Sequence, residues 1–474
     1  MNVIVIMLDS LRPDHLGCYG NPWIKTPNID EFAKESVIFE RAYAEGLPTL
    51  PVRTALFTGR YTLMWRGWQH LEPEDVTLAE ILWDSDYATA FITDTYHLHK
   101  PKMAYERGFD FVEFIRGQEA DPYIIDPSIK VDLSKWHPKN YFTEKDKKVF
   151  IQYLRNRHDW QNEEDHFIAK VVKAGIEWLE REVNRGRKDR LFLWLDCFDP
   201  HEPWDPPEKY YSLYAPKDYD DLPIIQPFIG GEKGGLLESF TEREVRHIRA
   251  QYAGEVTLVD KWMGIFFEKL KELDLWDNSL IVLLSDHGEP LGEHGIIRKV
   301  RPWPYEELSR IVLLIKHPEV DTGKKIEAFV QTPDIMVTII DFLQIPLERS
   351  VWSVTPKVQG KSLLPLLTGE EEKERDYAIA GHFGISWSIR NEDYSLYLWP
   401  GKKASYTFGT LYMEKQEKTK AELYRLDRNY IPPPPGEWRE GDQPERENLI
   451  EKERDIAEPL ELKLRRKLMR IAGL

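Results

Sequence analysis

The chain has 474 residues, 31% of them charged, and a formal net charge of −17 at pH 7. That length suits one large domain with an appendage, and 42% hydrophobic content with 16 Trp, 22 Tyr and 20 Phe excludes a disordered chain. The negative balance argues against nucleic acid and against an anionic membrane as partners, because both are bound through basic faces that displace counterions.

The first element is an apolar run, Val3–Leu8, which reads as a central strand buried on both sides. It is too short for a signal-peptide core or a membrane span of ~20 residues. With only Cys18 and Cys197 in the chain, a cytoplasmic, reducing location is expected. Further strand candidates are Ala88–Ile92, Leu191–Leu195, Leu280–Leu284 and Ile311–Ile315. Between them, Thr77 with Glu80 and Thr241 with Glu244 fit the capping box that opens a helix, the second running to about Leu273, and Thr332 precedes Pro333 at a first helical position. This alternation predicts an α/β fold: a doubly wound, mainly parallel sheet with helices on both faces. At the charged run Glu370–Arg375 the pattern changes to short strands, Ala378–Gly381 and Tyr394–Trp399. A proline stretch, Pro432–Pro435, follows and reads as a stiff surface loop, and a final helix is expected near Leu460–Ile471. Residues 1–369 are therefore expected to form the main domain and 370–474 a smaller α+β subdomain.

Ligands of open parallel sheets bind beyond the carboxyl ends of the strands. Three polar clusters stand there: Asp9 with Ser10, Asp199 with His201, and Asp286 with His287 and Gly288. A buried carboxylate at a strand end needs a partner or a cation, although a helix-capping aspartate explains Asp9 equally well when taken alone. Asp286 and His287 offer one hard oxygen and one imidazole, and Gly288 allows the sharp turn that points both inward. Thr49 stands just ahead of a probable helix, with Pro51 at an early helical position and Arg53 one turn away. A hydroxyl there is placed to act as a nucleophile beside a metal, with Arg53 to hold a charged oxygen; plain N-capping by Thr49 is the simpler alternative.

Thr49, Pro51 and Arg53, followed by Thr58, Gly59 and Arg60, resemble the sulfatase signature. So do Thr26 to Asp30, Gly108 to Asp110, Asp286 to Glu289 leading to Gly292–Gly295, and Leu423–Asp427. The resemblance covers nearly the whole chain. It implies a doubly wound fold with a smaller C-terminal domain and a divalent metal under the nucleophile. It also implies metal ligation by Asp9, Asp286 and His287, support of the nucleophile by Arg53, and a role for His201 and Lys299 in holding or protonating the ester. His97 falls near a basic, substrate-binding position of the family. Two departures stand out. Sulfatases carry Cys or Ser at the nucleophile position, which maturation oxidises to formylglycine; Thr49 has a β-methyl group and cannot yield that aldehyde. Ser10 stands where a second carboxylate usually follows the first metal ligand, leaving Asp9, Thr49, Asp286 and His287 around one divalent ion.

That set suits Mn²⁺ or Zn²⁺ better than Ca²⁺, which prefers many hard oxygens. It is similar to the lipoteichoic acid synthases, whose chemistry runs through a threonine but whose membrane spans are missing here. The leading expectation is hydrolysis of a small anionic phosphate mono- or diester through Thr49. The alternatives are a sulfate esterase without formylglycine and an inactive, anion-binding fold. The sequence leaves the oligomeric state open.

Overall fold

The structure, a computed structural model, describes residues 1–320, 322–346, 356–400 and 418–474. Among the described residues, thirteen strands fall into two sheets. The strands of the large sheet are β1 (Asn2–Leu8), β2 (Val37–Tyr43), β4 (Ala88–Thr93), β5 (Phe111–Phe114), β6 (Leu191–Cys197), β7 (Ser279–Leu284), β8 (Leu313–Lys316) and β9 (Lys325–Gln331). They lie in the order β5-β4-β6-β1-β7-β8-β2-β9. The second sheet, ordered β13-β12-β11-β10-β3, comprises β3 (Gly46–Leu47), β10 (Ala378–His382), β11 (Ser386–Arg390), β12 (Tyr394–Leu398) and β13 (Glu422–Arg425).

β1 is the centre of the large sheet, parallel to β6 on one side and to β7 on the other. Its continuous apolar run divides by alternation. Ile4, Ile6 and Leu8 enter a core with residues of the helices Pro27–Lys34, Phe167–Asn184 and Glu242–Glu272. Val3, Val5 and Met7 enter the other, with the helices Thr49–Thr58, Leu78–Trp83 and Pro333–Phe342. Helices thus cover both faces, and each buried aliphatic side chain of β1 contributes about 1.5–3 kcal/mol. The capping boxes at Thr77 and Thr241 are both formed, and the helix from Glu242 is the long one that the sequence predicts. Thr332 makes no side-chain cap bond.

The strand expected at Ile311–Ile315 forms two residues later as β8, which pairs antiparallel with both β7 and β2 within the mainly parallel sheet, so residues 285–312 return across the carboxyl end of β7. One expectation changes. The prolines at 432–435 do not form a free surface loop: Pro432 is buried and its carbonyl accepts the Trp23 indole N–H at 2.7 Å. In the second sheet, β3 pairs parallel with β10, so a strand from the N-terminal part completes it, and the helix Arg454–Ile471 packs on β11 and β12. Among the described residues no helix is long and apolar enough to cross a membrane.

Candidate active site

The parallel register of β1, β4, β6 and β7 brings their carboxyl ends to one edge, and the charged residues that follow them meet there. Asp9, Asp286 and His287 are fully buried, with one ligand atom of each within 4.8 Å of the others. Ser10, at φ 65°, turns its N–H toward Asp286 Oδ1 at 3.1 Å and its hydroxyl toward Asp9 Oδ1 at 3.0 Å. Burial, and then the nearby Asp286, hold the Asp9 carboxyl well above its ordinary range. Asp286 goes down instead, because His287 and Arg53 together outweigh its burial. His287 donates from Nδ1 to the Gly288 carbonyl at 2.7 Å, and burial pushes its pKa down to about 4. The ring is therefore neutral near pH 7, with the Nε2 lone pair directed inward. Asp9 Oδ2 is buried, with the Arg53 guanidinium 3.1 Å away. The inward lone pair of His287 and two crowded acidic groups fit a divalent cation held by Asp9, Asp286 and His287.

Thr49 lies beside this cluster. It is the first residue of its helix, not the cap: Pro48 occupies that position, and the Thr49 hydroxyl is 3.2 Å from His287 Nε2. The N-capping alternative is thereby set aside. Arg53 is fully buried and is committed to protein carboxylates. Nε and Nη2 grip Asp196 at 2.9 and 2.8 Å, Nη1 donates to Asp286 at 2.6 Å, and Nη2 lies 3.1 Å from Asp9 Oδ2. Nη1 also reaches the Thr49 carbonyl at 3.4 Å. The expectation that Arg53 holds a substrate oxygen needs correcting. Three buried carboxylates demand a cation, and Arg53 supplies it.

Lys299 faces the centre from the other side, 3.4 Å from Ser10 Oγ and 3.2 Å from Glu289 Oε2. Glu289, whose motif the sequence shows but whose role it does not, also accepts from Ser10 Oγ at 3.1 Å. Burial pushes its carboxyl up to about 7 against the pull of Lys299. It brings a carboxylate toward the place that Ser10 leaves without one.

His201 Nδ1 donates to the Glu202 carbonyl at 2.6 Å, its ring is stacked 3.9 Å from Phe198, and burial, then Lys299, holds its pKa well below the ordinary value. In this state Nε2 carries a lone pair, so proton donation by His201 to an ester requires that its pKa be raised first. It lies in a cluster with Glu119 and Glu202, not with Asp199. Asp199 instead accepts the Ile168 N–H at 2.9 Å and so holds the first turn of the helix Phe167–Asn184. His97, expected at a substrate-binding position, has both ring nitrogens engaged by neighbouring side chains, Glu119 at 3.0 Å and Lys100 at 3.1 Å. Arg298, at φ 65°, is paired with Glu202.

Gly288 is required by contact. A Cβ there would lie 2.1 Å from the Glu307 carbonyl oxygen, a backbone atom that cannot yield. Gly288→Ala is expected to lower stability by about 1–3 kcal/mol and to weaken ion binding; unchanged melting and calorimetric affinity would show that the loop can relax.

Residues 1–345 match the model of the sulfatase family. An arylsulfatase of Clostridium perfringens is 27% identical over 419 residues, covering 80% of this chain and 81% of its own. A multifunctional alkaline phosphatase superfamily protein of Trinickia caryophylli, PehA, is 28% identical over 434 residues, covering 81% and 79%. The phosphonate monoester hydrolase of Agrobacterium radiobacter superposes with a TM-score of 0.71 at 20% identity, covering 100% of this chain and 95% of that one. The family model covers most of the chain, the fold is shared with a solved structure, and the chain is a hydrolase that belongs to the sulfatase family.

Proposed function

We propose that this enzyme hydrolyses small phosphate esters, mono- or diester, through Thr49. The carrying observation is the position of Thr49: a buried hydroxyl at a helix start, 3.2 Å from the unprotonated nitrogen of His287 and so beside the Asp9, Asp286, His287 cluster. Threonine gives no formylglycine, so the chemistry is that of a plain alcohol. Its oxygen gives up its proton to solvent and attacks phosphorus as the bond to the leaving oxygen breaks; water then attacks the phosphothreonine, the bond from phosphorus to the Thr49 oxygen breaks, phosphate or a phosphate monoester departs, and the hydroxyl is restored. Phosphate suits this course better than sulfate, which would turn over less readily without an aldehyde to expel it.

A divalent ion held by Asp9, Asp286 and His287 would lower the pKa of the Thr49 hydroxyl, as is usual in this family, whose enzymes use a divalent metal. Arg53 fixes Asp9, Asp286 and the Thr49 carbonyl relative to one another. Lys299, a fixed positive charge, neutralises a nonbridging oxygen. An arriving anion supplies the negative charge that raises the His201 pKa, and His201 then donates from Nε2 to the leaving oxygen. The free thiols Cys18 and Cys197 support a reducing, cytoplasmic location.

The test is a panel of nitrophenyl phosphate, bis-nitrophenyl phosphate, phenylphosphonate and nitrophenyl sulfate on the metal-reconstituted protein. Faster turnover of the sulfate would make the chain a sulfate esterase, and turnover of none would make it an anion-binding fold. His201→Ala is expected to slow an alkyl phosphate about 100-fold and a nitrophenyl phosphate much less, since nitrophenolate leaves without a proton. Equal losses would assign His201 to binding.

A further inference from the structure

Residues 286–299, which carry Asp286, His287, Glu289 and Lys299, also carry His294, whose position the catalytic reading does not use. The His294 side chain is 4% exposed, and the residue sits at φ 51°, a backbone conformation that costs a non-glycine residue about 1 kcal/mol or more. Nδ1 lies 2.9 Å from Glu307 Oε1 and Nε2 lies 3.9 Å from Glu445 Oε2. The ring is stacked 3.7 Å from Tyr305, and the backbone N–H donates to Gln443 Oε1 at 3.1 Å. Glu445 is itself oriented, accepting from the Glu306 N–H at 3.1 Å, from the Tyr397 hydroxyl at 2.5 Å and from Ser395. Glu307 belongs to the short helix Glu306–Ser309, whose Leu308 carbonyl accepts the Gly288 N–H at 2.8 Å. One continuous path therefore joins Glu445, on the C-terminal segment, to the residue following His287.

We propose that His294 is a positioning residue for the reaction: held between Glu307 and Glu445 and stacked on Tyr305, it locks residues 286–299 against the C-terminal segment and so sets the placement of Asp286, His287 and Lys299. The two carboxylates raise the His294 pKa against its burial, with Lys418 opposing them; Tyr305 and Tyr424 face the same ring. Since the folded value lies above the ordinary value of about 6.5, the contact is fully present below that pH and is lost as the pH rises through the folded value.

Glu445→Gln removes one charge while keeping an acceptor for Ser395 and Tyr397. It is expected to weaken Mn²⁺ affinity, read by calorimetry, about tenfold and to move the alkaline limb of kcat/KM to lower pH. His294→Gln is expected to weaken the ion similarly and to abolish that limb. Glu307→Gln makes the same test if Glu445→Gln does not fold. Unchanged Mn²⁺ affinity and an unchanged limb, with only the melting temperature lowered, would reduce the contact to structural cement and overturn the proposal. A second metal ion per chain, lost in His294→Gln, would overturn it too. The inference rests on the assignment of the ion to Asp9, Asp286 and His287. A wild-type protein that binds no ion defeats that assignment, whereas equal binding by wild type and Glu445→Gln defeats the inference alone.

Discussion

Thr49→Ala is expected to lower kcat on nitrophenyl phosphate by about 1,000-fold or more while leaving the melting temperature within a few degrees of wild type. The two effects separate because the hydroxyl makes its contact with the catalytic centre and not with the helix backbone. Removing that contact costs about 1 kcal/mol, part of which the better helix propensity of alanine returns. Thr49→Ser keeps the oxygen and is expected to retain activity within about tenfold of wild type. Steady-state kinetics with a thermal melt on each variant decide the matter, and Thr49→Ala activity within about tenfold of wild type would exclude Thr49 as the nucleophile.

The second large effect is loss of the ion. Chelator treatment is expected to abolish turnover, with Mn²⁺ or Zn²⁺ restoring it better than Ca²⁺, because two carboxylates, one imidazole and one hydroxyl offer too few hard oxygens for calcium. Stability should follow: an ion at 100 times its Kd adds about 2.7 kcal/mol to the folded state. Affinity is also expected to rise with pH through the weakly acidic range. Asp9, whose carboxyl is held above its ordinary range, and Glu289, near 7, must lose protons for the centre to carry its full negative charge. Full activity in the metal-free protein would end this assignment, and an affinity independent of pH would place the ion elsewhere.

Asp9, Asp286 and His287 were legible because they stand at the ends of apolar runs, where a polar or charged group needs a reason that strand periodicity does not give, and Thr49 because Pro51 and Arg53 mark the helix that it opens. Their cation was only half legible. Arg53 stands one turn from Thr49, but its main partner, Asp196, is 143 residues away inside another apolar run, so nothing local announces the pair. The direction of β8 was hidden for a related reason, since an apolar run of that length reads the same parallel or antiparallel. The state of His201 depends on a hydrogen bond to a neighbouring backbone carbonyl and on the nearness of Lys299, both of which exist only in the folded chain. Glu289 was visible as part of its motif, yet its use is set by Ser10 and Lys299 from either side.

Gly46 and Leu47 pair with Gly381 and His382, and Thr49 follows two residues later. During synthesis on the ribosome, the segment leading into the nucleophile therefore has no sheet neighbour on that side until the last quarter of the chain has emerged. A nascent polypeptide that already displays the large sheet would hold the Thr49 helix against it, while the two residues that lead into that helix still wait for their strand partner.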